Sequence, residues 1–289
     1  MNIDKIHYLS FDLDGTLLNK DGKLTPYTKE IVKRLQEKGY VVILNSGRFY
    51  HELEQFCEQL ELKKYGGYAI SSNGYRMYDI KKDIVSCNPG ISVQESKSLF
   101  QVIQKHQIFT FLHYDDHYCM YTRRITGAFL KLAQAIAKIS LPYPKIMLRY
   151  IGLFRKVEFR QYQHHDITQE LEKMCFIGLP FSIHRVVQHI EQRHEDYQFF
   201  RVNSCSTELV KKGVSKADAV RLIVSKQGHD LHNVIAFGDA GNDVPLLQQA
   251  GIGVCMKNSK SGITQHSPHI TSYTNDEDGV AKYLESMFL

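Results

Sequence analysis

The sequence predicts an α/β protein: a doubly wound, mainly parallel sheet core with an α+β domain inserted into it. Three observations carry that prediction. Short apolar runs near both ends of the 289-residue chain are each followed by an acidic or hydroxyl-bearing turn. The first two runs are separated by one amphipathic segment of helical length, which is the spacing of a parallel crossover. In the middle third this alternation gives way to aromatic-rich runs that pair around a tight turn.

Residues 6–11 read as a buried strand that ends in Asp12-Leu13-Asp14-Gly15-Thr16. On a strand, acids at i and i+2 share a face, so Asp12 and Asp14 are expected to point the same way and to repel unless a cation neutralises them. Hard oxygen donors of this kind favour Mg²⁺. Thr25, Pro26 and Gly39 supply the cap, first-turn proline and terminal glycine of a helix whose apolar face is Ile31, Val32 and Leu35. Residues 41–44 form the next strand and lead into Asn45-Ser46-Gly47-Arg48. A right-handed crossover makes the two strands parallel, which brings Asp12, Asp14 and Ser46 to one crevice.

The far end repeats the pattern. Residues 234–237 are apolar and run into Gly238-Asp239-Ala240-Gly241-Asn242-Asp243, and residues 244–250 read as a helix closed by Gly251. Asp239 precedes a small-residue turn in which no helix needs capping, whereas Asp243 by itself also suits an N-cap before Pro245. In Ser215-Lys216-Ala217-Asp218, the serine and aspartate resemble a capping box for a helix running to about residue 224. Lys216 then meets the positive end of that helix, which helix stability does not explain. A position near clustered carboxylates and a phosphate would explain it; a solvated surface lysine is the plain alternative.

These four segments, in this order and spacing, resemble the four motifs of the haloacid dehalogenase-like hydrolases, and are most similar to those of the Cof-type phosphatases. Ser71-Ser72-Asn73-Gly74 and residues 251–258 and 275–281 add family-like context. The resemblance implies a Rossmann-like core over 1–82 and 205–289 and a cap domain over 83–204. It implies a Mg²⁺-dependent phosphatase acting on a small phosphomonoester such as a sugar phosphate. Asp12 would be the nucleophile that becomes an aspartyl phosphate, and Asp14 the general acid and base. Ser46, Gly47, Lys216 and Asn242 would bind the phosphate. Asp12, Asp14 (through its main-chain oxygen), Asp239 and Asp243 would hold the metal. The sequence departs from the family at Asn45, where Ala is common, at Ser46, where Thr is usual, at Ala217, where Gly is frequent, and at Ala240, where Gly or Ser is commoner; none of these removes a reacting group. Two rivals share the motifs: a phosphomutase of the phosphomannomutase-like type, and a non-catalytic regulator on the same fold, against which the full set of acids speaks.

Bulk properties fit a soluble protein. With 43% hydrophobic and 23% charged residues, the chain can build two moderate domains. No apolar stretch reaches the roughly 18 residues of a membrane span, and the first strand starts close to residue 1, so neither membrane insertion nor a signal peptide is expected. The six cysteines are dispersed without paired spacing, which predicts reduced thiols and a cytoplasmic location. A formal charge of +5 suits an anionic metabolite, while the basic residues are too scattered for nucleic acid. None of the fourteen histidines has zinc-site spacing.

In the middle third, residues 109–114 and 117–121 around Asp115-Asp116 read as a hairpin, 156–161 and 198–203 as strands, and 127–139 and 167–174 as helices. As a lid, such a domain would exclude water during attack and admit it afterwards. Tyr118, Tyr121, Arg123 and Arg124 beside the hairpin are candidates for substrate choice, with packing and solvation as the plain alternative.

Overall fold

In the computed structural model, which describes residues 3–106, 108–114, 117–122, 157–161, 167–203 and 205–289, the run Tyr8–Phe11 forms strand β1 and all four of its residues are buried. Burial along the whole strand means a sheet covered on both faces. The chain divides into two units, Met1–Pro89 with Gly213–Leu289, and Gly90–Lys212.

The first unit is built on an eight-stranded sheet. Its spatial order is β14 (His269–Ile270), β13 (Ile252–Cys255), β12 (Val234–Gly238), β1, β2 (Val41–Asn45), β3 (Tyr68–Ser71), β4 (Arg76–Asp79), β5 (Ile84–Cys87). Pairing is parallel from β14 to β3 and antiparallel from β3 to β5. Helix Pro26–Glu37 links β1 to β2 as the sequence predicts, with the Thr25 hydroxyl accepting from the Thr28 N–H at 3.0 Å. Leu9, Phe11, Ile31, Leu35, Val42 and Leu284 belong to the core on one face; Ile43, Val220, Val224, Ala236 and Leu247 belong to the core on the other. The result is a three-layer, doubly wound α/β unit.

The second unit carries a six-stranded sheet in the order β10 (Tyr197–Asn203), β11 (Ser206–Lys211), β9 (Lys173–Ile177), β6 (Phe109–His113), β7 (Tyr118–Thr122), β8 (Val157–Gln161). All pairs are antiparallel except β7 with β8. Helices Val93–His106 and Pro180–Glu191 contribute Leu99, Phe100, Ile103, Ile183, Val186 and Ile190 to one core with Leu112, Tyr121, Met174 and Phe176.

Several expectations change here. The β4–β5 hairpin extends the first sheet to Cys87 and β11 joins the second, so the insertion occupies 90–212, not 83–204. Residues 167–174 are not a helix. Ile167, Leu171 and Met174 have helical spacing, but Lys173–Ile177 is a strand held between β6 and β11, and that pairing overrides local periodicity. Tyr121 is fully buried with its ring 4.7 Å from that of Phe100, which is the packing alternative. Residues 127–139, Asp115, Asp116, Arg123, Arg124 and the Tyr118 side chain lie outside the described part.

Candidate active site

Phe11 of β1 lies level with Leu44 of β2 and Phe237 of β12, so the segments that follow all three strands leave from one sheet edge. The strand order reverses between β1 and β12, and in doubly wound sheets ligands bind at that switch point. Asp12, Ser46 and Asp239 are delivered there.

Asp12 stays on the ladder, its N–H donating to the Phe237 carbonyl at 3.1 Å, and the chain then turns away. Gly15 has φ of 83°, and a Cβ there would lie 2.7 Å from Asp239 Oδ2, so only glycine fits. Because the strand ends at Phe11, alternation no longer governs the next residues. The two acids do not point the same way, as the sequence suggests they should. Asp12 turns to Lys216, and the Asp14 carboxylate is gripped by Arg48, Nε to Oδ2 at 2.7 Å and Nη2 to Oδ1 at 2.6 Å.

Lys216 opens helix Lys216–Ser225, capped by the Ser215 hydroxyl, which accepts from the Asp218 N–H at 3.1 Å. It is 1% exposed, which rules out the solvated reading. Its Nζ donates to Asp12 Oδ1 at 2.5 Å and to Asp243 Oδ1 at 2.6 Å. Asp243 stands at the N-cap position of the helix after it, but its side chain makes no capping bond there. Its Oδ2 accepts from the N–H groups of Asp239 and Ala240 at 3.1 and 3.0 Å, closing the glycine-rich turn before it. Thr16 Oγ1 donates to Asp239 Oδ1 at 3.4 Å.

Asp12, Asp239 and Asp243 each offer a carboxylate oxygen within 4.8 Å of the others, and all three are buried. Among the described residues the buried Lys216 ammonium bridges two of the three acids and Lys260 acts on Asp239, which leaves the carboxylates in excess of the cations. Burial, opposed by Lys216 and reinforced by Asp243 and Asp239, pushes the Asp12 carboxyl well above its usual range. Burial and then Asp243 raise Asp239 to about 6. Burial works against the Lys216 ammonium, yet Asp12 and Asp243 outweigh it and hold the proton on more tightly than usual. Hard oxygen donors with unbalanced charge fit a divalent cation.

Ser46 is buried, and its Oγ accepts from the Arg48 N–H at 3.2 Å, which leaves the hydroxyl proton to donate elsewhere. Asn242 Nδ2 donates to Asn73 Oδ1 at 2.9 Å. Arg48 and Asn73 are the residues that sequence reasoning passed over. Both stand inside the motif segments, and the Asn-Gly pair at 73 and 74 is a signal for left-handed backbone.

The haloacid dehalogenase-like hydrolase family model matches residues 9–284, and the chain belongs to that family of hydrolases. The Bacillus subtilis protein YitU, named 5-amino-6-(5-phospho-D-ribitylamino)uracil phosphatase, is 24% identical over 98% of both chains. A haloacid dehalogenase-like hydrolase from Bacteroides thetaiotaomicron superposes with a TM-score of 0.74 at 24% identity, covering 98% of this chain and 100% of its own. The subclass IIB sugar phosphatase BT4131 does so with 0.75 at 19% identity, over 96% and 98%. Both structures share the fold.

Proposed function

We propose that this chain is a Mg²⁺-dependent phosphomonoesterase that hydrolyses a small phosphorylated metabolite through an aspartyl phosphate on Asp12. The observation that carries this reading is the buried bridge of Lys216 across Asp12 and Asp243 beside Asp239, with Asp14 held apart by Arg48. Asp12, Asp239 and Asp243 would hold the metal, joined by the main-chain oxygen of Asp14, since its carboxylate is engaged by Arg48. Bound Mg²⁺ would supply the positive charge that keeps the acids ionised and neutralises the phosphoryl oxygens.

Asp12 attacks phosphorus, and its new O–P bond forms as the bond to the substrate's alcohol oxygen breaks. Asp14, which regains a proton from water at the end of each cycle, would free the oxygen that carries it from Arg48 and give that proton to the leaving oxygen. In the second step it takes a proton from water, whose oxygen bonds to the same phosphorus as the Asp12 O–P bond breaks, releasing inorganic phosphate and restoring the Asp12 carboxylate. Ser46 Oγ and Lys216 Nζ donate to the equatorial oxygens, where transition-state charge is spread. The Gly47 N–H and the second N–H of Asn242 extend that set.

YitU and BT4131 are named for a phosphorylated ribityl compound and for sugar phosphates, which supports a phosphorylated polyol or sugar as the substrate class here. Six free thiols suit a reducing cytoplasm.

The test is a Mg²⁺ assay of inorganic phosphate release from p-nitrophenyl phosphate and a panel of phosphorylated metabolites. Absence of turnover across the panel would sink the proposal. Conversion of a hexose 1-phosphate into its 6-phosphate without phosphate release would favour a mutase.

A further inference from the structure

The turn that follows β3 has an unusual backbone. Ser72, Asn73 and Gly74 have φ of 50°, 58° and 106°, three successive left-handed residues, and all are buried. Among the described residues the other non-glycine positions with positive φ are Glu61, Asp83 and Asp278, and none of them is buried. Left-handed backbone at consecutive non-glycine residues is costly and persists only when its surroundings enforce it.

Those surroundings are the site. The Ser72 N–H donates to the Arg48 carbonyl and the Asn73 N–H to the Ser46 carbonyl, each at 3.0 Å. Asn73 Oδ1 accepts from Asn242 at 2.9 Å, and a Cβ at Gly47 would stand 2.9 Å from the same oxygen. On the other side, a Cβ at Gly74 would lie 2.2 Å from the carbonyl oxygen of Ser215, the cap of the Lys216 helix. One three-residue turn therefore touches the segments that carry Ser46, Lys216 and Asn242.

We infer that Asn73 is a positioning residue for phosphate binding: its main-chain N–H holds the Ser46 segment, and its amide oxygen holds Asn242 at a fixed place relative to Ser46. The inference rests on the phosphatase reading. The left-handed conformation is what lets one residue present both groups. The side chain and the backbone make separable demands, because glycine satisfies the second and not the first.

Asn73→Gly in the full chain keeps the N–H and tolerates the φ but deletes the amide oxygen. With Mg²⁺ present, its Kd for inorganic phosphate by calorimetry and its KM should each rise about tenfold or more, with a melting temperature close to wild type. Asn242→Ala leaves the strained turn untouched and should weaken phosphate at least as much, and the double variant should match Asn242→Ala alone, since the two act as one unit. Wild-type phosphate affinity in Asn73→Gly, or losses that multiply in the double variant, would overturn the inference. Should Asn73→Gly fail to fold, an unchanged Kd in Asn242→Ala overturns it too. A wild-type protein that turns over no phosphoester fails the phosphatase reading itself, a result visible before any variant is made.

Discussion

Arg48 and Asp14 form a two-pronged ion pair, both carboxylate oxygens bonded at 2.6 and 2.7 Å, on the segments that follow β2 and β1. The two side chains are 20% and 36% exposed, so solvent screens the pair in part and its contribution to stability is modest, on the order of 1 kcal/mol. Its consequence is direction: a planar fork fixes where the carboxylate points, which a lysine cannot do. Arg48→Lys should therefore change the melting temperature by no more than a few degrees while kcat/KM falls by about tenfold or more. Steady-state kinetics beside a melting curve would check it, and full activity in this variant would show that Asp14 needs no guide.

Asp12→Asn preserves shape and removes the nucleophile. Turnover should drop by about 10³-fold or more with the fold intact. Acid-quenched wild-type enzyme should carry phosphate on Asp12 by mass spectrometry, and the variant should not. Wild-type turnover in the variant would place the nucleophile elsewhere.

Lys216→Met separates a structural lysine from a catalytic one. Removing one member of a buried charge cluster leaves the rest uncompensated and costs about 3–5 kcal/mol in comparable cases. The metal-free variant should melt below wild type, added Mg²⁺ should recover part of the difference, and kcat/KM should fall by about 10²-fold or more. A metal-free variant as stable and as active as wild type would contradict the assignment.

Asp239 gives the metal-free protein a pH signature. Its folded-state pKa of about 6 lies above the ordinary 3.8, raised by burial and then by Asp243. The folded state thus binds the proton more tightly than the unfolded chain. The stabilisation is complete below about pH 4 and is lost as pH rises through about 6, an upper bound of roughly 3 kcal/mol at 1.4 kcal/mol per pKa unit. Wild type minus Asp239→Asn cancels the titrating groups that do not feel Asp239, while Asp12, which Asp239 itself pushes up, moves with it. In chelator, the difference in melting temperature should change in favour of the variant between pH 4.5 and 7.5; a flat difference would show that Asp239 titrates normally.

The positions of Asp12, Ser46, Lys216, Asp239, Asp243 and Asn242 were legible because each sits at the end of an apolar run or the start of a capped helix, and chain order then brings them to one edge. Side-chain partners were not. Whether Asp14 followed Asp12 or left it depended on where β1 stops, and a strand that ends at Phe11 rather than Asp14 sends the second acid to Arg48. Asp243 could cap a helix or a turn, and only the Asp239 and Ala240 amides decide it. In the second unit, Ile167, Leu171 and Met174 satisfied a helical period, yet the neighbouring strands claimed Met174. The Asn-Gly pair marks the backbone of Asn73 but not its role, because its partners Ser46 and Asn242 are distant in sequence.

The partners that make the site are also far apart in time. Asp12 and Lys216 are separated by 204 positions, and β1 needs β12, beyond the insertion, as its neighbour on one side. At about 5–20 residues per second, synthesis leaves the nucleophile without its lysine for roughly 10–40 s. During that interval β1 presents an unpaired edge at what will be the middle of the sheet, a template for pairing with another chain. The inserted unit, contiguous in sequence from 90 to 212, emerges whole before the first unit can close. A nascent chain should therefore become protease-resistant first in the insertion, and acquire phosphate affinity only after β12 has left the ribosome.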